Sequence, residues 1–187
     1  MRYTKDHKQQ TRTRIIDTAA KLFKEEGINA VGIAAIMKSA GLTNGAFYAH
    51  FSSKQALVEA VIVEELKHQL MTFESVPHDK AGLEFIINTY LSAEHRIDCA
   101  SGCPSAALIG DISRLNSDAK AIYMHSLTGV TDEIKDRIAP SQVDSTYALF
   151  GLLLGTLQMA RSVSDESVAE AILASGRQAA LRLAGAA

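Results

Sequence analysis

The chain has 187 residues, 47% hydrophobic and 21% charged, with a formal net charge of −2, two cysteines and no tryptophan. That length suits one small module and one larger core but not two large domains. The N-terminus has no apolar run resembling a signal peptide, so the chain is expected to stay in the cytoplasm, and two cysteines do not argue otherwise. The near-neutral total hides an asymmetry. Residues 1–54 carry nine Lys/Arg against four Asp/Glu, a local +5, whereas the remainder carries ten against seventeen, a local −7. Nucleic acid meets the local charge, so the acidic balance is no objection to DNA binding.

In chain order, Thr11 to Gly27 forms an amphipathic pattern with Ile15, Ile16, Ala19, Leu22 and Phe23 on one face and a Gly terminator. Ahead of it, Arg2, Lys5, Lys8, Arg12 and Arg14 face the single acid Asp6, an arm able to track phosphates. Ile33, Ile36, Met37 and Ala40 then recur at helical spacing, and Gly41 ends that helix because glycine takes a positive φ without a Cβ clash. Leu42 is expected to fold back into the core and Thr43 to cap a third helix, Asn44 to Phe51, about perpendicular to the second. This is a helix-turn-helix. Thr43, Asn44, Gly45, Ala46 and Tyr48 are small or polar with no carboxylate among them, which suits phosphates and base edges in a major groove. Phe47 and Phe51 are expected to face inward.

A fourth helix should begin at Ser52 or Ser53 and run toward Phe73, with Pro77 ending it, joining the reading unit to the core. Asp79 to Ile97, Pro104 to Leu115, Asp118 to Ile138, Gln142 to Val163 and Glu166 to Leu183 continue at helical spacing. The expectation is an all-α chain of about nine helices, without a long strand pattern. The eighth helix contains YALFGLLLGTLQMA, apolar on nearly every side, with Gly151 and Gly155 open to close approach by another backbone. Its apolar run is too short for a bilayer, which needs about 20 residues. With Ala169, Ile172, Leu173, Ala180, Leu181 and Leu183 on the last helix it is a candidate two-fold dimer interface.

Cys99 and Cys103 lie in HRIDCASGCPSAALIG, where Pro104 suits the first position of a helix and places Cys103 at its N-cap. A helix N-terminus favours thiolate, so Cys103 is a candidate redox or electrophile switch with Cys99 as resolving partner. A small apolar residue at a helix start is the plainer alternative. His95 adds a third potential ligand, but the spacing is irregular and no second pair exists, so neither a metal nor a cofactor is expected.

The run from Thr11 through Leu57 resembles the TetR/AcrR family of bacterial transcriptional regulators. The matching positions are Leu22-Phe23, Gly27, Ala40-Gly41, Gly45-Ala46-Phe47-Tyr48, Phe51 and Ser53-Lys54. One departure is Val31-Gly32, where the family usually places Thr and Ser ahead of its second helix. The resemblance implies a three-helix DNA-binding domain over residues 1–54 and a helical ligand-binding and dimerisation domain over 55–187. It places Thr43, Asn44, Gly45 and Ala46 over base edges and backbone, with Tyr48, His50 and Lys54 mainly on phosphates.

The resemblance also implies a homodimer through the last two helices of each subunit, an inverted-repeat operator on double-stranded DNA, and a cavity for an unknown small-molecule effector. Candidate cavity residues are Tyr90, His95, Tyr123, His125, Gln158 and Arg161. The functional expectation is a sequence-specific regulator, most simply a repressor, released by a small molecule or by an oxidant or electrophile at Cys103. It is not expected to be an enzyme. Two other readings are a small thiol enzyme using Cys103 as nucleophile and a nonspecific DNA-compacting protein; the second would need basic charge spread along the chain.

Overall fold

The structure is a computed structural model that describes residues 5–185. Arg2 of the basic arm and the terminal Ala186 and Ala187 lie outside the described residues. Among those described there are ten α-helices, one 3₁₀ segment and no strand. The helices are α1 (Lys5–Glu26), α2 (Ile33–Ser39), α3 (Asn44–Phe47), α4 (Lys54–Glu74), α5 (Lys80–Tyr90), α6 (Ala93–Ile97), α7 (Pro104–Ile112), α8 (Ser117–Lys135), α9 (Thr146–Arg161) and α10 (Glu166–Leu183). The 3₁₀ segment, Pro140–Ser145, precedes α9.

Helix α1 starts six residues before the predicted Thr11. Lys, Gln and Arg favour helix and no Gly or Pro interrupts them, but a run this polar has no apolar period to reveal it. Lys8, Arg12 and Arg14 therefore ride on a helix and not on a loose arm. Its inner face buries Ile15, Ile16, Ala19 and Phe23 against α2 and α4, and Gly27 ends it at φ +87°.

The predicted single helix over 79–97 is two. Leu91 closes α5 with its N–H on the Ile87 carbonyl, and Ser92 opens α6 by accepting from His95 N at 3.2 Å. Arg177 of α10 holds the Leu91 carbonyl at 2.6 Å, so the break is fixed from across the core. Likewise, the segment predicted to start a helix at Gln142 is a 3₁₀ turn passing into α9.

Helix α4 packs along α8 and also meets α1 and α7, while α9 packs along α10. The far end of α4 is anchored by Arg137, whose guanidinium is fully buried. That group donates to the carbonyls of Phe73, Val76 and Pro77 at 2.9, 2.6 and 2.9 Å and to Glu133 Oε2 at 2.6 Å. One side chain thus gathers a carbonyl from the last turn of α4 and two from the turn that follows it. Close packing of α9 on α10 depends on Gly176, where an added Cβ would collide with the Thr156 side chain. No helix among the described residues is long and apolar enough to cross a membrane.

Candidate nucleic-acid interface and effector cavity

The turn between α2 and α3 is built from local chemistry. Gly41 has φ +67°, its N–H bonds the Lys38 carbonyl at 3.0 Å, and Leu42 N–H reaches back to the Met37 carbonyl at 2.8 Å. This is a Schellman closure, with Leu42 packed on the core as predicted. Thr43 occupies the N-cap, but its hydroxyl makes no capping bond, in contrast to the expectation from sequence. Regular helix also stops at Phe47, not Phe51. The chain continues in tight turns through His50, with Phe51 N–H returning to the Phe47 carbonyl at 3.0 Å.

Phe47 and Phe51 are buried and stack at 5.7 Å between centroids. They turn Thr43, Asn44, Gly45 and Tyr48 outward, with Tyr48 69% exposed, while Ala46 is half-buried. Tyr48 meets the Phe47 ring edge-on at 5.3 Å, so its base is fixed while its hydroxyl is free to reach. The result is a short, carboxylate-free surface held by a rigid aromatic pair.

His50 is half-buried beside this surface. Burial lowers its pKa, and the charges of Lys8 and Arg12 lower it further. Arg12 also sits 4.8 Å over the Phe51 ring. Lys8 and Arg12 therefore converge with His50 at one edge of the reading surface, a positive cluster that charge counting sensed only as an arm. Lys54 is placed differently from Tyr48. Its ammonium donates to the Ile28 carbonyl at 2.5 Å and lies 5.9 Å from the Phe23 ring centroid; burial lowers its pKa against an opposing pull from Asp111.

A cavity of about 690 Å³ opens between α4, α5, the α6–α7 loop and the lower part of α1. Phe73, Val76, Phe85 and Ile86 form its apolar side, and Gln69, Tyr90, His95 and Cys103 its polar end. Of the residues predicted for an effector pocket, Tyr90 and His95 line this cavity. Tyr123 is buried behind it and donates its hydroxyl to Ser105 Oγ at 3.1 Å. Arg161 binds the carbonyls of His95 and Arg96 at 2.7 and 3.2 Å, whereas His125 and Gln158 lie exposed on α8 and α9.

Burial lowers the pKa of His95, which favours the neutral ring. Its Nε2 accepts from the Cys103 N–H at 3.0 Å, so the proton sits on Nδ1 and is donated to the Tyr90 carbonyl at 2.7 Å. Both cysteines are free thiols. Cys103 caps α7, with Sγ accepting from Ala106 N at 3.5 Å and from Gln69 Nε2 at 3.2 Å. Cys99 donates its thiol to the Lys24 carbonyl at 3.0 Å.

The loop that carries the two cysteines also grips the reading unit. Lys24, near the end of α1, pairs with Glu65 of α4 at 2.5 Å and donates to the Gly102 carbonyl at 3.3 Å, with its side chain 3% exposed. Four residues on, Ile28 N–H donates to Asp111 of α7 at 3.2 Å. Sequence reasoning missed Lys24, Glu65 and Asp111, because each contact joins residues at least 41 apart in the chain.

Residues 15–61 match the family model described as bacterial regulatory proteins, tetR family. The HTH-type transcriptional regulator UidR of Escherichia coli strain K12 is 32% identical over 87 residues, which are 46% of this chain and 44% of that one. The HTH-type transcriptional regulator AcrR of Shigella flexneri is 40% identical over 60 residues, 32% of this chain and 28% of that one. The similarity to these curated relatives thus spans less than half of their length. The crystal structure of the reduced form of E. coli NemR superposes with a TM-score of 0.75, covering 90% of this chain and 96% of that one at 18% identity, a likeness of fold. The helix-turn-helix closed by Gly41 and the tetR-family match over residues 15–61 together place the N-terminal unit of this chain, carried on an all-helical core, in the TetR/AcrR family.

Proposed function

We propose that the protein is a sequence-specific DNA-binding transcriptional regulator, acting as a homodimer and as a repressor. The observation that carries this reading is the outward face of residues 43–48, free of carboxylates, seated on Phe47 and Phe51 and flanked by Lys8, Arg12 and His50. Asn44 can pair with adenine through its amide, Gly45 and Ala46 allow close backbone approach, and Tyr48 and His50 reach phosphates. Lys54 acts from behind by tying the start of α4 to the loop after α1, with its remaining donors available to a phosphate.

Dimerisation is assigned to the faces of α9 and α10 that the protomer leaves open. Tyr147, Gly151, Gly155 and Met159 recur every fourth residue along α9 and are exposed, whereas Ala169, Leu173 and Ala180 of the predicted interface are spent inside the protomer core. Two reading units then meet half-sites related by the dimer axis.

Release would be a population shift. An effector in the cavity favours the spacing of reading units that does not fit DNA, and the coupling equals its preference for that spacing. Cys103 stands in the cavity wall, so a peroxide or electrophile that enters reaches the same place. Peroxide would convert the thiol to sulfenic acid with loss of water, breaking its contact with Gln69; operator binding should then be lost in wild type and spared in Cys103→Ser. Selection of bound duplexes from random DNA by the purified protein, at stated salt, tests the main reading. An inverted repeat is expected, and recovery of no preferred sequence would overturn it.

A further inference from the structure

The Tyr90 hydroxyl is a buried polar group without a hydrogen-bond partner. The residue is 5% exposed, and Cys103 acts on the hydroxyl from close by but makes no hydrogen bond of normal geometry with it, its sulfur being engaged by Gln69 and Ala106. Native structures seldom leave such a group unsatisfied without a reason. Here it stands in the wall of the 690 Å³ cavity, a size suited to a small organic ligand.

Charge in the cavity is already balanced or at the mouth. Lys24 is closed by Glu65 and the Gly102 carbonyl, while Asp17, Lys21 and Glu94 are exposed at the rim. His95 is neutral, with both ring nitrogens committed to backbone. Among the described residues Arg161 has no acidic partner and its charge reaches Tyr90, but it is not part of the lining and donates to the His95 and Arg96 carbonyls, so an ionic ligand head would lose its hydration without a direct counter-ion in the lining. A neutral acceptor would lose little and would meet a donor that burial keeps protonated.

Resting on the effector role assigned to this cavity, we infer that it binds an uncharged molecule with an apolar body against Phe73, Val76 and Ile86 and a carbonyl-type oxygen that accepts from Tyr90. The donor fixes orientation; the apolar wall supplies most of the burial.

The test is calorimetric titration of the full-length protein with 3-phenylpropanamide, 3-phenylpropanoate and 3-phenylpropylamine, matched in shape and different in charge. Fragments of this size reach low-millimolar affinity in such sites, so the titrations run to about 10 mM. The amide should bind at least about tenfold more tightly than the acid or the amine. Tyr90→Phe should weaken the amide by about tenfold, the loss of one hydrogen bond, and leave the amine, which has no acceptor, unchanged. Because the hydroxyl has no protein partner, the ligand-free variant should melt at the wild-type temperature or above it, so weakened binding is not a folding defect. Equal or tighter binding of the acid or amine, unchanged amide affinity in Tyr90→Phe, or no amide binding would each overturn the inference. Operator binding measured separately keeps the two readings apart: its absence removes the regulator and leaves the ligand chemistry to stand or fall by the titrations.

Discussion

Asp111 of α7 accepts a hydrogen bond from the backbone N–H of Ile28 at 3.2 Å, so the core holds the peptide that leaves the first DNA-binding helix. The Ile28 carbonyl is held in turn by Lys54 at 2.5 Å. With Lys24 bound to Glu65 and Gly102, these contacts make the end of α1 the place where cavity and reading unit meet.

Replacing Asp111 by Ala should leave the Ile28 N–H without its partner and cost about 1–2 kcal/mol. For a chain of this length that is a fall in melting temperature of about 2–8 °C. Asp111→Asn keeps an acceptor and should cost less than half as much. Thermal unfolding of the two variants checks this, and equal losses would mean that the contact contributes through charge alone.

Arg137 should be far more sensitive than its position suggests. Arg137→Met removes the donor from three carbonyls and leaves the largely buried Glu133 without its closest cation. Loss of one partner from such a network costs about 3–5 kcal/mol. Denaturant unfolding should show that drop, whereas a loss under about 1 kcal/mol would show that water replaces the guanidinium.

On DNA, the two kinds of contact should separate. Tyr48→Ala should weaken binding to all sequences alike, and Asn44→Ala should also relax preference at particular base pairs. Lys8→Ala and Arg12→Ala should each reduce the slope of log affinity against log salt by about one for every phosphate the removed cation neutralised. Titrations across a salt series read both effects, and a variant slope equal to wild type would exclude phosphate binding by that residue.

Much of the helix-turn-helix was legible because its determinants are local. Gly41, Leu42, Phe47 and Phe51 act within a few residues of one another, and their roles follow from φ, capping and helical spacing. The break at Leu91–Ser92 was harder to see. The pattern runs on there without Gly or Pro, while the structure caps α6 with Ser92 and holds the break by Arg177 from the last helix. Lys54 reads as a surface cation, yet its partner is a carbonyl 26 residues away. No periodicity reports such pairings, and for the same reason Tyr90 and His95 were legible as pocket candidates while their hydrogen-bond states were not.

His95 makes stability depend on mild acid. Its folded pKa lies below the ordinary value of 6.5 because of burial, so below that pH the unfolded chain takes up the proton first. Stability should therefore be constant above about pH 6.5 and fall as pH drops toward the folded pKa, at a slope of at most about 1.4 kcal/mol per unit from this group. His50 acts with the same sign, whereas Asp98 and Asp165, whose pKa values are lowered, lose their contribution only at lower pH. His95→Gln should flatten the profile just below pH 6.5. An unchanged slope would show that the ring is not held neutral.

The most direct measurement is a hydroxyl-radical footprint of the purified protein on a duplex enriched from random sequence. Two protected patches related by a dyad, centred about one helical turn or a multiple of it apart, are the predicted result, because two reading units must enter two major grooves. A single patch, or uniform protection along the duplex, would contradict a dimeric sequence-specific regulator.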